Sequence, residues 1–372
     1  MRIALVTDAW APQASGVVST LQALVRALAA QGHEVDVVHP GRFSTQVALP
    51  GSPGVGMAFW PHRELAALLA ASRPDAIHLA TEGPLGWAAR RFCLARKWAF
   101  TTAFHTKFPD ILHARHRLPR RLGYAVLRWF HAPSSGVLVA SQSVRLLLEA
   151  KGFRRIRAWA PGVDTRLFGF EPQPMPSPAL GPLPRPVLLC VGRVAAEKNL
   201  TDFLNLDVPG SKVVCGQGPE LRRLQARHPE AHWLGVLPPN DMAALYASAD
   251  VLVFPSRAET FGAVMLEAMA SGTPVAAYPV DGPLEILGKG QGGAMAHDLR
   301  EAVLRALTLP RHHARLRALD FNWAQSAQQF VQHLVPIQKL ETQYRQAPEG
   351  NLAYKKTPAR PALSPIRHTP GK

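Results

Sequence analysis

Acidic residues are scarce in this sequence. Its 372 residues carry 26 Asp and Glu against 42 Lys and Arg, a formal net charge of +16. An imbalance of that size favours an anionic partner: nucleic acid, an anionic membrane surface or a phosphorylated substrate. Long apolar runs are also missing. "VLLCVG" and "DVLVFP" have strand length, and nothing approaches the roughly 20 continuous apolar residues of a membrane-spanning helix. The opening "MRIALVTDAW" has only a brief apolar core and turns acidic at Asp8, which is not the pattern of a secretory signal, so a cytoplasmic location is expected. Cysteine is confined to Cys93, Cys190 and Cys215, each inside an apolar run at irregular spacing. That fits buried, reduced thiols better than a disulfide framework or a zinc site. No G-x-G-x-x-G follows the first strand of either half, which removes the dinucleotide oxidoreductases. No helix-turn-helix, zinc or RNA-binding motif accompanies the charge, so a nucleic-acid binder rests on charge alone.

What is present is an alternation of strand-like and helix-like runs. "RIALVTD", "HEVDVVHP", "DAIHLA" and "FTTAFHT" read as strands, with "GVVSTLQALVRALAAQG" and "PLGWAARRFCLARKWA" as helices between them. Such alternation predicts a parallel sheet covered by helices on both faces, with its ligand at the carboxyl ends of the strands. Prolines crowd "FEPQPMPSPALGPLPRP" too densely for either regular element, and this stretch reads as a linker. The pattern then restarts at "VLLCVGR", with "EKNLTDFLNL" as the next helix. The expected fold class is α/β, two doubly wound Rossmann-like domains facing across a cleft. The boundaries are 1–169 for the N-terminal domain, 170–186 for the linker and 187–320 for the C-terminal domain. A segment over 321–342 returns to the N-terminal domain, and 343–372 forms a disordered basic tail, rich in Pro and Lys/Arg.

"AETFGAVMLEAMASGTPVA", residues 258–276, holds two acids, Glu259 and Glu267, among small and apolar side chains. Burying a carboxylate is costly unless it is paired. The segment follows the strand "DVLVFP", so Glu259 stands in the loop at its carboxyl end. From Gly262 or Ala263 to Ala270 the residues form a helix ended by "SGTP", and the helix N-terminus offers unpaired N–H groups to an anion. Taken alone, the pair also fits a cap at Glu259 and a buried partner for Glu267.

The two acids separated by seven residues, with "LVFPSRAETFG" before and "EAMASGTPVAA" after, resemble the E-x7-E segment of the family 4 retaining glycosyltransferases of GT-B fold. "VGRVAAEKNL", "CGQGPELRRL", "LGVLPPNDMAALYASADVLVFPS" and "APGVDTRLF" resemble further blocks of that family, in order and spacing, over about residues 1–340. The resemblance implies a nucleotide-sugar donor as substrate, with no cofactor. It assigns Arg193 and Lys198 to the donor diphosphate and Glu267 to the ribose hydroxyls. Glu259 goes to a hydroxyl of the transferred hexose, beside the backbone amides of Thr260, Phe261, Gly262 and Ala263. An Arg fork and a Lys point charge suit a diphosphate that gains charge as it leaves. No D-x-D motif is present, so no metal site is expected.

In the N-terminal domain, "DAWAPQASGVVSTL" opens a helix after the first strand. The family's loop there often has two glycines; this sequence has Ser15 and Gly16, leaving Gly16 and Val17 for approach to the donor. His105 in "TAFHTKFPDIL" occupies the place of a family histidine that reaches the sugar from the acceptor side. "HLATEGPLGWAAR" puts Thr81, Glu82 and Gly83 at another strand end. These segments look like the subgroup acting on lipid acceptors, including mannosyltransferases and sulfoquinovosyltransferases. Residues 90–131 hold ten Lys or Arg with Asp110 the lone acid, interleaved with Phe92, Trp98, Phe108, Trp129 and Phe130. That mixture suits an anionic membrane surface and equally a solvated helix face. The expected activity is hexosyl transfer from GDP-mannose or a UDP-hexose to a lipid or lipid-linked acceptor, a soluble acceptor being the alternative.

Overall fold

The computed structural model describes residues 1–13, 15–48, 56–171, 177–257, 261–288 and 291–337, with 114–116 described by backbone alone. Glu259, Thr260, linker positions 172–176 and the stretch from 338 through the basic tail lie outside them. Residues 1–337 form one compact unit.

The N-terminal half runs β1 (Arg2–Val6), α1 (Gly16–Ala30), β2 (Glu34–Val38), β3 (Gln46–Ala48), β4 (Gly56–Ala58), α2 (His62–Ser72), β5 (Ala76–Leu79) and α3 (Pro84–Arg96). It continues with β6 (Thr101–Phe104), α4 (Phe108–His116), α5 (Arg120–His131), β7 (Val137–Val139), α6 (Gln142–Ala150) and β8 (Ile156–Ala158). Six strands form a sheet in the order β2-β1-β5-β6-β7-β8, parallel throughout, while β3 and β4 pair as a separate antiparallel hairpin. Ile3, Ala4, Leu5 and Val6 are all fully buried, as expected of a parallel strand covered on both faces.

The C-terminal half repeats the plan. It runs β9 (Val187–Val191), α7 (Leu200–Leu204), β10 (Ser211–Cys215), α8 (Leu221–Arg227), β11 (His232–Gly235), α9 (Pro239–Ser248) and β12 (Val251–Phe254). Then come α10 (Ala263–Ala270), β13 (Val275–Ala277), α11 (Asp281–Leu287), β14 (Gly293–Met295), α12 (Leu299–Ala306), α13 (Arg311–Leu319) and α14 (Trp323–His333). Its sheet order is β11-β10-β9-β12-β13-β14, again all parallel. The strand order reverses between β1 and β5 in the first sheet and between β9 and β12 in the second. A crevice opens at the carboxyl ends of the strands at each such switch.

One predicted helix is broken. "EKNLTDFLNL" forms a single 3-10 turn over Ala196–Lys198, then α7, with Asn199 left-handed between them at φ 55°. Asn tolerates that conformation, and its amide donates to Asp202 Oδ2 at 2.6 Å.

Two crossings tie the halves together. Val163 N–H donates to Phe321 O at 2.9 Å, and a Cβ on Gly162 would stand 2.5 Å from Trp323 N. Arg315 gathers three carbonyls, those of Phe168 (2.9 Å), Ala270 (2.7 Å) and Thr165 (3.2 Å). Beyond the second crossing, Asn322 caps α14 by accepting from Ala324 N (2.7 Å) and Gln325 N (3.2 Å). The helix then lies against α1 in the core of the N-terminal half. Trp159 Nε1–H donates to Ser326 O at 3.0 Å. The fully buried Phe330 ring stands 4.8 Å from His78 and 5.6 Å from Trp159. Truncating a buried Phe typically costs about 3–5 kcal/mol. Urea unfolding of Phe330→Ala should show a loss in that range, and a loss under about 1 kcal/mol would mean that α14 is not part of this core.

Candidate active site

The second switch point holds the cations expected to meet a diphosphate. Gly192 leaves β9 at φ 143°, and Arg193 follows it. Arg193 and Lys198 line a small pocket together with Gly192, Phe254, Pro255 and Ser256, so the ends of β9 and β12 meet there. Two glycines after β10 make this loop possible. A Cβ on Gly216 would lie 1.8 Å from Gly192 O, and one on Gly218 would lie 2.2 Å from Val194 O. Only glycine permits that backbone approach, and Val194 N–H completes the nest by donating to Gln217 O at 2.9 Å. Arg193 Nη1 stands 3.9 Å from Glu197 Oε1 on a side chain that is 56% exposed. An exposed pair of that kind is worth little, and the guanidinium stays available to an anion.

Beside the pocket, Asp202 Oδ2 accepts from Tyr278 OH (2.6 Å) and Asn199 Nδ2 (2.6 Å) and stands 3.4 Å from Arg257 Nη2. Arg257 lies flat over the Tyr278 ring at 3.7 Å. Burial alone would raise the Asp202 carboxyl; these contacts outweigh it and hold it below its ordinary value. They also anchor the residue that leads into positions 258–260.

Gly262, at φ 90°, turns the chain into α10. Phe261 is buried, and a Cβ on Gly282 would fall 2.5 Å from its carbonyl oxygen, so the start of α11 presses on the start of the α10 turn. Glu267 is half-buried on α10. It does have the buried partner that a structural role requires: Tyr246 OH, on α9, donates to its Oε2 at 2.8 Å. Burial raises the Glu267 carboxyl above its usual value, and the Tyr246 hydrogen bond offsets this only in part.

The first switch point assembles the remaining candidates. Ser15, standing where a second glycine was looked for, is the cap of α1 and accepts from Val18 N at 3.3 Å. Gly16 is the first residue of that helix, and a Cβ there would meet nothing within 4 Å. Packing therefore does not demand this glycine. Val17 packs against the core that contains Leu21 and Leu24. Asp8, at the end of β1, accepts from Leu85 N (2.8 Å) and Thr81 Oγ1 (2.8 Å), thereby capping α3. Its carboxyl is raised by burial despite these bonds. Glu82 follows β5 and is almost fully buried, with Oε1 3.3 Å from His131 Nε2. The other ring nitrogen of His131 lies 2.8 Å from Thr102 Oγ1. His105 follows β6, its ring 6.1 Å from Trp159. Burial pushes it down to about 4, with the charge of Glu82 pulling the other way. At neutral pH it is an uncharged hydrogen-bonding group.

The halves also touch at this edge. Lys107 Nζ meets Asp281 Oδ2 at 2.6 Å, and Gln142 N–H donates to Glu285 Oε2 at 3.0 Å. Through α11, the segment after His105 is joined to the Phe261 turn. The structure thus groups Arg193 with Lys198, sets Gly262, Ala263 and Glu267 on one turn and helix, and collects Gly16, Val17 and His105 at the other sheet's edge. Sequence reasoning missed Tyr246, Asp8 and His131. Asp8 was visible as the acid ending the first strand, whereas nothing in the sequence pairs Tyr246 with Glu267 across 21 positions.

The basic stretch resolves into two populations. Arg90 is buried: its guanidinium stacks 4.5 Å over Trp129 and donates to the carbonyls of Phe130 and Trp129, both at 3.0 Å. Arg96 stacks on Phe92 at 4.6 Å. Arg90 is structural and Lys107 is held in its ion pair, so neither belongs to a free basic face, whereas Arg96 stays exposed. On α5 the side chains divide. Tyr124, Leu127 and Phe130 point inward, while Leu122 (62% exposed), Val126 and Trp129 (62% exposed) point out beside exposed Arg121 and Arg128. Phe108, Ile111 and Leu112 of α4 and Leu118 between the helices are exposed as well. Among the described residues no helix is long and apolar enough to cross a membrane.

Residues 14–167 match the family described as Glycosyltransferase Family 4, and residues 185–309 match Glycosyl transferases group 1. The chain is 30% identical over 352 residues to the alpha-monoglucosyldiacylglycerol synthase of Streptococcus pneumoniae, covering 82% of this chain and 78% of that protein. It is 27% identical over 377 residues to a GDP-mannose-dependent alpha-mannosyltransferase of Mycobacterium tuberculosis, covering 92% and 98%. Among solved structures, the sucrose-phosphate synthase of Thermosynechococcus elongatus superposes with a TM-score of 0.71 at 21% identity, covering 89% of this chain and 97% of that one. That likeness bears on the fold, which is GT-B. The chain belongs to glycosyltransferase family 4, a family of retaining hexosyltransferases that draw on nucleotide-sugar donors.

The raised Glu267 carboxyl has a consequence for stability. A group whose folded value exceeds its unfolded one favours folding most at low pH, and that contribution is lost as pH rises through the folded value. Above its unfolded value the raised Glu267 carboxyl therefore opposes folding. Glu267→Gln should raise the Tm of the ligand-free protein at pH 7 and narrow its difference from wild type at pH 4. A lower Tm at pH 7 would contradict this.

Proposed function

We propose that this enzyme transfers a hexose from GDP-mannose or a UDP-hexose to a hydroxyl of a lipid or lipid-linked acceptor, working without a metal at the cytoplasmic face of a membrane. The observation that carries the donor side is the shared pocket of Arg193 and Lys198 at the β9/β12 switch point, one helix away from Glu267. In this reading residues 187–320 hold the donor and residues 1–169 the acceptor, with 321–342 returning to the acceptor side. Arg193 and Lys198 neutralise the charge that grows on the departing diphosphate, assisted by the backbone amides of residues 260–263. The acceptor oxygen attacks the anomeric carbon on the face the diphosphate leaves, and a phosphate oxygen takes the acceptor's proton, so the configuration is retained. Glu259 holds a hexose hydroxyl close to the developing oxocarbenium ion, and Glu267 holds the ribose. His105, neutral at working pH, hydrogen-bonds the sugar from the acceptor side. Gly16 and Val17 give the phosphates access to backbone N–H groups.

The acceptor side draws support from the exposed apolar face of α4 and α5 rimmed by Arg121 and Arg128, a composition that partitions into the headgroup region of anionic bilayers. Two relatives are named for lipid acceptors, the monoglucosyldiacylglycerol synthase and a phosphatidylinositol dimannoside mannosyltransferase of M. tuberculosis, which supports the same reading.

Thermal shift against a panel of nucleotide sugars should single out one donor. With that donor, Arg193→Ala and Lys198→Ala should each lower kcat/KM by about tenfold or more, a change of roughly 1.4 kcal/mol. Flotation with vesicles containing anionic lipid should retain the wild type at moderate salt and lose Leu122→Ser/Trp129→Ser. A wild type that stays at the bottom of the gradient would leave a water-borne acceptor as the reading.

A further inference from the structure

We infer that Tyr246 is the positioning residue of the donor site: its hydroxyl occupies Oε2 of Glu267 and thereby presents Oε1 to the nucleoside's ribose. The inference rests on the reading of Glu267 as the ribose-binding carboxylate.

The geometry is that of a fixed donor against a movable acceptor. Tyr246 is fully buried near the end of α9, its ring edge-on to Phe168 at 5.8 Å. Its backbone is pinned as well. The Thr273 hydroxyl donates to Tyr246 O, and Arg311 holds the same helix end through Ala247 O (2.6 Å) and Ala249 O (2.7 Å). The phenol therefore has one place to put its proton, and Glu267 Oε2 is there at 2.8 Å. Burial raises the phenol well above its ordinary value, so the hydroxyl donates throughout the working pH range.

A glutamate side chain has three rotatable bonds and two equivalent oxygens. Without a partner the carboxylate would swing, and part of the affinity for a ribose hydroxyl would be lost in ordering it. With Oε2 held by the phenol, the carboxylate has one orientation and Oε1 one place. The role predicts a specific loss: discrimination for the ribose hydroxyl should fall when the phenol is removed, even though Tyr246 touches no ligand atom.

The test uses GDP and 2′-deoxy-GDP, and UDP and 2′-deoxy-UDP, titrated calorimetrically into the full-length protein. For the better-bound nucleotide, the wild type should prefer the ribo form by about tenfold or more, as expected of a hydrogen bond to a charged group. Tyr246→Phe keeps the ring and should reduce that ratio to under about threefold, with the loss falling on the ribo form. Thr273→Val loosens the same helix end without touching the phenol; it should lower the Tm and leave the ratio intact. A wild-type ratio in Tyr246→Phe beside a collapsed ratio in Glu267→Gln would overturn the positioning role alone. An unchanged ratio in Glu267→Gln would overturn the ribose reading and this inference with it. Equal ratio losses in Tyr246→Phe and Thr273→Val would reduce Tyr246 to a packing residue.

Discussion

Every strand that matters here is covered by helices on both faces, and that constraint decides where chemistry can occur. A side chain such as Leu5 or Leu189 is fully buried and cannot reach a ligand. Polar chemistry is displaced to the carboxyl ends of the strands, where the chain leaves the sheet and backbone N–H groups are unspent. Both sheets reverse their strand order, and the crevices that result collect the polar residues: Asp8, Glu82 and His105 in one, Arg193, Lys198 and Ser256 in the other. The duplicated plan supplies two such crevices.

Placing charged groups in such crevices is costly, and the molecule offsets the cost with partners drawn from distant parts of the chain. Asp8 borrows the amides at the start of α3, Asp202 is held by Asn199, Arg257 and Tyr278, and Glu267 has Tyr246. For Asp8 and Glu267 the partners restore part of what burial takes away, and for Asp202 they more than restore it. Asp202 ends below its ordinary value and the other two above it. Asp202 is fixed by its three partners, while Glu267 keeps an imbalance that Tyr246 alone does not remove. Binding sites commonly trade stability for function in this way.

The alternation of apolar runs was sufficient to read two parallel sheets, because a strand buried on both faces has a signature that short loops do not blur. Gly262, Ala263 and Glu267 were legible as one loop and helix for the same local reason. The nesting of Gly216 on Gly192 was not legible, since it depends on two strands lying side by side. Neither was the break at Asn199, where one amide reaching Asp202 overrode a good helical pattern. The charge of residues 90–131 misled in part: Arg90 looks like any surface cation until the exposed Trp129 ring is found stacked against its buried guanidinium. Composition counts charges, and only packing shows which of them meet water.

The two crossings between the halves are bonded to each other at Val163 and Phe321, and Arg315 binds residues 165–168 to the end of α10. Mechanically, the first crossing is bound to the C-terminal half as far back as Thr165, and the second is laced to the first where it passes. The Lys107–Asp281 ion pair and the Gln142–Glu285 hydrogen bond form a second seam, so the halves are held at two places and not by the chain crossings alone.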